Sequence, residues 1–186
     1  MQLGNSNIRY GVIPQAFHWL TAMCVVAGWP LGWFLGEFPK GTARSYALFT
    51  HMTLGQCVVV LLIARLAWRI ANSPPPPEPT RFGRLVEIAA KLSHYTLYAL
   101  LVAVPFVGMV VQLKRGNALP VLGFWDFVSP WPTDRATAKS VLKVHEYLAN
   151  ALVILAGLHA AAALTHHWIF RDRTLTRMLP GTRQSA

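Results

Sequence analysis

Two histidines, His145 and His159, stand fourteen residues apart in the last long apolar stretch of the chain. A helix turns about 100° per residue, so fourteen steps return the second side chain to within about 40° of the first. At about 1.5 Å of rise per residue the two lie roughly 21 Å apart along one helix face, near opposite leaflets of a bilayer. Imidazoles at two depths on one face could ligate two metal centres stacked across a membrane. Neutral imidazole suits low-spin haem iron, with a second histidine supplied by a facing helix. Transmembrane electron transfer is the chemistry this spacing suggests.

The remaining histidines sort by depth. His18 opens the first apolar segment on the side of the chain termini, and His94 lies slightly inside the third segment on that same side. His51 opens the second segment on the opposite side, the level of His145; His166 and His167 close the fourth. Depth therefore pairs His51 with His145, and His18 with His159, with His94 as a rival for the second pair. Gly55, Gly157 and Ala160–Ala163 flank the candidates. Small residues make room for a flat macrocycle, and they equally let helices pack closely. An isolated intramembrane histidine is often only a polar group hydrogen-bonded across helices, but two level-matched pairs are harder to explain that way. A zinc site usually mixes histidine with Asp or Glu, and here the only carboxylate near the membrane interior is Glu146 at its edge.

Four membrane-spanning helices must position these residues. The chain is 54% hydrophobic and 13% charged, against about 25% charged in an ordinary soluble domain. No Asp, Glu, Lys or Arg occurs from Tyr10 to Gly36, Ser45 to Ala64, Leu92 to Leu113 or Tyr147 to Phe170. Each gap holds the roughly 20 residues needed to cross hydrocarbon. The expected spans are 14–36, 45–70, 82–113 and 140–170, in one domain covering 1–186. Pro30 and Pro105 should kink the first and third spans. The proline run after Asn72 should be extended. The long connection Lys114–Lys139, carrying Pro120, Phe124, Trp125, Pro130 and Trp131, reads as a lid along the membrane interface.

The N-terminus lacks the basic cluster and short apolar core of a cleaved signal. Cys24 and Cys57 fall inside spans, so a disulfide is not expected, and no C-x-x-C-H is present to attach haem covalently. The side of the termini collects ten cations against three acids, net +7; the other side has seven against four, net +3. This bias favours cytoplasmic termini, yet it leaves the outer face positive. Such a face would draw in small anions through Lys114, Arg115, Arg135, Lys139 and Lys143, or bind lipid head groups and propionates. Arg65 and Arg69 would neutralise propionates or lipid on the inner side. Nothing in the pattern points to nucleic acid or to an obligate protein partner.

The stretch KVHEYLANALVILAGLHAAAALTHHWIFRDRTLTRMLP, Lys143 to Pro180, resembles the C-terminal helix of the bacterial diheme cytochrome b-561 family. RYGVIPQAFHWL at Arg9–Leu20, H-x-x-x-G at His51–Gly55, the proline-rich linker and KRGN at Lys114–Asn117 agree with it. The resemblance covers nearly the whole chain. It implies an all-α, four-helix protein of the bacterial inner membrane that encloses two b-type haems. His51 and His145 would hold the outer haem and His18 and His159 the inner one, the pairs depth suggests. His94 and His166 would be candidates for quinone or propionate contacts.

One branch of that family oxidises superoxide at the periplasmic face and reduces ubiquinone. The resemblance therefore implies a superoxide:quinone oxidoreductase. Two alternatives remain: a quinol-linked cytochrome b subunit that serves a separate partner protein, and a haem-free metal or small-molecule transporter.

Overall fold

The computed structural model describes residues 2–76 and 83–181. Phe82, the expected start of the third span, and the last part of the proline-rich linker lie outside the described residues. Four helices are long and apolar enough to cross a membrane: α1 (Val12–Trp33), α2 (Thr42–Ala71), α3 (Gly83–Lys114) and α4 (Arg135–Thr165). At about 1.5 Å per residue even the shortest exceeds the roughly 30 Å of a hydrocarbon core.

Local chemistry sets the ends. Gly41 adopts φ 98° ahead of α2, and the Arg44 guanidinium donates to the Gly36 and Phe38 carbonyls at 2.7 and 2.6 Å, closing the short α1–α2 loop. Helix α2 stops at Asn72, which is extended and lies two residues before Pro74. Gly116, at φ 77°, ends α3, and the Gly116 and Asn117 N–H groups fold back on the Leu113 and Gln112 carbonyls. Helix α4 starts at Arg135, five residues before the expected span. Asp134 caps it there, accepting from the Thr137 N–H and hydroxyl at 3.0 and 2.6 Å.

Helix α1 packs along α2, and α3 along α4; the α2–α3 and α1–α4 contacts close the bundle. The interior between them is thin. Val58, Leu62, Leu101 and Leu152 form its buried centre, with Cys24, Val25, Leu97 and Tyr98 against it. Large apolar side chains such as Val26, Ile63, Val102 and Ile154 point outward instead. Such a surface suits lipid, in which helices satisfy their own backbone. Trp29 Nε1 donates to Asn150 Oδ1 at 3.0 Å, tying α1 to α4. Both cysteines are free.

The connection expected to be a lid folds into a small antiparallel hairpin, β1 (Leu119–Val121) with β2 (Trp125–Phe127). Leu122 and Gly123 turn it with φ of 50° and 79°. Buried Gln56 of α2 holds the hairpin in place, donating to the Pro120 carbonyl and accepting from the Leu122 N–H, each at 2.7 Å. At the other end of the bundle the C-terminal tail packs over the start of α1. Trp19 Nε1 donates to the Met178 carbonyl at 2.7 Å. Arg177 of the tail is buried and donates to the Pro76 carbonyl at 2.8 Å. The two ends are called here the hairpin face and the terminal face.

Candidate functional site

Near the hairpin face His51 of α2 and His145 of α4 meet, with ring centres 6.0 Å apart and planes at 86°. Each ring is held by a helix other than its own. His51 Nδ1 lies 2.8 Å from the Gly28 carbonyl of α1, and His145 Nδ1 lies 3.0 Å from the Val104 carbonyl of α3. A carbonyl can only accept, so Nδ1 carries the proton in both rings, and in the neutral imidazole this leaves the lone pair on Nε2. That is the tautomer a metal-ligating imidazole needs.

Towards the terminal face His159 of α4 stands between two neighbours. Its ring centre is 6.5 Å from that of His18 on α1 and 5.1 Å from that of His94 on α3. An imidazole nitrogen sits about 2 Å from the metal it ligates, with its ring centre roughly 1 Å further back, so two axial imidazoles hold their centres about 6 Å apart. The His51–His145 and His18–His159 separations fit that spacing. His94 stands nearer to His159 than His18 does, and its 5.1 Å separation is further from that spacing. Gly157, two residues before His159, is exposed and lies about 200° around α4 from it, so the open space at this glycine is on the outer face of the helix and not beside the pair. Among the described residues no group of three or more His, Cys, Asp or Glu side chains converges to hold a bare metal ion.

Around the terminal-face cluster, Arg65 lies over the Tyr98 ring at 5.4 Å from its centre. Arg65, Arg69, Tyr98 and Trp68 line one small cavity with Asn5, Tyr10 and Met178. Trp68 Nε1 is buried in that region without a hydrogen-bond acceptor among the described residues, a donor suited to an anionic group such as a propionate. His166 is not part of the cluster's ring contacts. It begins a π-helical turn, His166–Phe170, and its Nδ1 pairs with Asp172 at 2.5 Å. Burial would raise the Asp172 carboxyl, but the His166 hydrogen bond and the Thr174 N–H outweigh it and hold the group below the usual carboxylate range. His167 lies beside Trp168.

The five suspected steering cations separate into groups. Arg115, Arg135 and Lys139 line one cleft of about 370 Å³ at the hairpin face, with Asn117, Ala138 and Leu142. Lys114 stacks on the Trp131 ring, its Nζ 5.1 Å from the ring centre. Lys143 is exposed outside the cleft. Because α4 begins at Arg135, Arg135 and Lys139 project from consecutive turns of a helix rather than from a loop.

Sequence reasoning missed the carbonyl seats and the Gln56 latch. A signal for the seats exists in retrospect: a glycine follows the helix proline closely in both α1 (Pro30, Gly32) and α3 (Pro105, Gly108).

A family profile described as prokaryotic cytochrome b561 matches residues 9–181. The chain is 37% identical over 178 residues to cytochrome b561 homolog 1 of Escherichia coli (strain K12), covering 92% of this chain and 97% of that one. It is 33% identical over 180 residues to cytochrome b561 homolog 2 of the same organism, covering 96% and 95%. A protein of Yersinia pestis named probable superoxide oxidase CybB is 28% identical over 178 residues, covering 94% and 98%.

Proposed function

This chain belongs to the prokaryotic cytochrome b561 family of multi-pass membrane electron-transfer proteins, and from that premise we propose that it moves electrons from superoxide to ubiquinone. The four helices act as one domain. The hairpin face lies in the periplasm of the bacterial inner membrane and both termini lie in the cytoplasm. Two superoxide ions each lose one electron and leave as dioxygen; one quinone takes both electrons and two protons to become quinol.

The observation that carries the reading is the pair of imidazole pairs at two depths, 6.0 and 6.5 Å between ring centres. The family binds b-type haem, and two such groups would supply a one-electron couple at each level. His51 and His145 would hold one, and His18 and His159 the other. The chain's own residues do the rest. Arg115, Arg135 and Lys139 concentrate a small anion at the cleft, with Lys114 and Lys143 adding to the field. The Gly28 and Val104 carbonyls fix two of the rings. The apolar bundle keeps water from the path. Arg65, Arg69, His94 and His166 are the candidates for contact with quinone or propionates at the terminal face. The Yersinia relative's name agrees with superoxide as donor.

The test is steady-state quinol formation by purified protein, supplied only with a superoxide-generating system and ubiquinone. Quinol should form at one per two superoxide ions consumed. Quinol oxidation that needs an added protein partner would instead establish a partner-coupled cytochrome b subunit.

A further inference from the structure

The two histidine pairs differ in what surrounds them. At the hairpin face both rings donate Nδ1–H to a neighbouring helix's carbonyl, Gly28 for His51 and Val104 for His145. At the terminal face neither His18 nor His159 has a hydrogen-bond partner among the described residues; their ring contacts are with Trp19, with His94 and with each other. Nearby charge differs too. Glu146 follows His145 in the chain and lies within electrostatic reach of it, whereas Arg65 lies within reach of both His18 and His159.

The two hairpin-face seats are built alike. In each, the accepting carbonyl is followed one turn later by a glycine, and the histidine ring lies over that glycine. A Cβ added at Gly32 would stand 2.7 Å from His51 Cε1, and one at Gly108 would stand 2.9 Å from His145 Cε1. Both distances are too short to keep, so any side chain there moves the ring off its carbonyl. The glycines are therefore positioning residues for the imidazoles.

Donation from Nδ1 pushes electron density into the ring and makes Nε2 the stronger donor, which favours the oxidised, more positive metal. A neighbouring carboxylate acts in the same direction, and a neighbouring guanidinium acts in the opposite one. We propose that the two carbonyl-and-glycine seats make the hairpin-face site the harder of the two to reduce, so that an electron entering there is more stable at the terminal face. This rests on the two-site reading above and adds a direction to it.

The experiment is an equilibrium redox titration of purified holoprotein, followed at the haem α-band after haem per chain has been counted. Wild type should show two haems and two components. G32A and G108A, on different helices, should each raise the lower-potential component and leave the higher one in place. G36A, where a Cβ would meet nothing within 4 Å, should change neither. If the added methyl expels a haem, the one-haem protein left behind should titrate at the higher potential alone. A shift confined to the higher component, no shift in either glycine variant, or a one-haem remnant at the lower potential overturns the inference. A wild type with a single haem per chain overturns the two-site reading itself, and the haem count shows this before any potential is read.

Discussion

His51 and His145 face each other across the bundle at 6.0 Å between ring centres, and neither is oriented by its own helix. Helices α1 and α3 supply the carbonyls that aim them, so each ring is held within its own helical hairpin, α1–α2 or α3–α4. The pair forms where the two hairpins meet. The orientation of these two rings thus depends on all four helices, and on the proposed ligation haem content would be a readout of correct bundle assembly.

Single alanine substitutions should sort the histidines by level. H51A and H145A should each lower haem content from two per chain to one, as should H18A and H159A. H94A should keep both, since the 6.5 Å between His18 and His159 is nearer the spacing of two ligands across an ion than the 5.1 Å between His94 and His159. Haem per chain, measured on folded protein, checks this. Loss of a haem in H94A with retention in H18A would reassign the terminal-face ligand.

The cleft cations should act on rate rather than on stability. Neutralising Arg115, Arg135 and Lys139 together should lower the second-order rate with superoxide by about tenfold or more at low salt, with the gap closing as salt rises. K143Q, outside the cleft, should have a smaller effect than any one of the three. A rate indifferent to the triple change and to ionic strength would remove the steering role.

Gln56 should control the hairpin. Q56L leaves the Pro120 carbonyl and the Leu122 N–H without their partner, costing roughly 1–3 kcal/mol for a buried pair of polar groups. Hydrogen exchange over residues 119–127 should quicken while that of the helices holds. Unchanged hairpin exchange would mean that the latch is not what holds it.

The Asp134 cap should show in acid. The Thr137 hydroxyl and N–H hold its carboxyl below the usual range. The cap therefore stabilises the fold fully above the unfolded carboxylate pKa of about 4, and the benefit disappears as pH falls through the lower folded value. D134A should melt below wild type at neutral pH by helical circular dichroism, with the difference shrinking in acid. A difference that does not vary with pH would point to packing instead.

Much of this arrangement is legible in the sequence because helical period and rise convert residue spacing into face and depth. That is enough to set His145 opposite His51 and His159 near His18, and to find four spans from gaps in charge. The seats are not legible, because Gly28, Gly32 and Gly108 look like ordinary helix-packing residues until a ring is seen over them. The hairpin escapes because its strands are three residues each, shorter than any alternation can reveal, and because its anchor is one glutamine in a distant apolar helix. The early start of α4 turns on a single cap, Asp134 to Thr137, inside a segment whose charges suggest loop.

The most direct measurement is stopped-flow mixing of the oxidised holoprotein with superoxide, followed at the haem bands without quinone and then with ubiquinone present. Superoxide should reduce the bands rapidly, the reduced state should persist without quinone, and added quinone should reoxidise it. Haem bands that form but do not respond to superoxide would contradict this route and assign electron delivery to a separate partner.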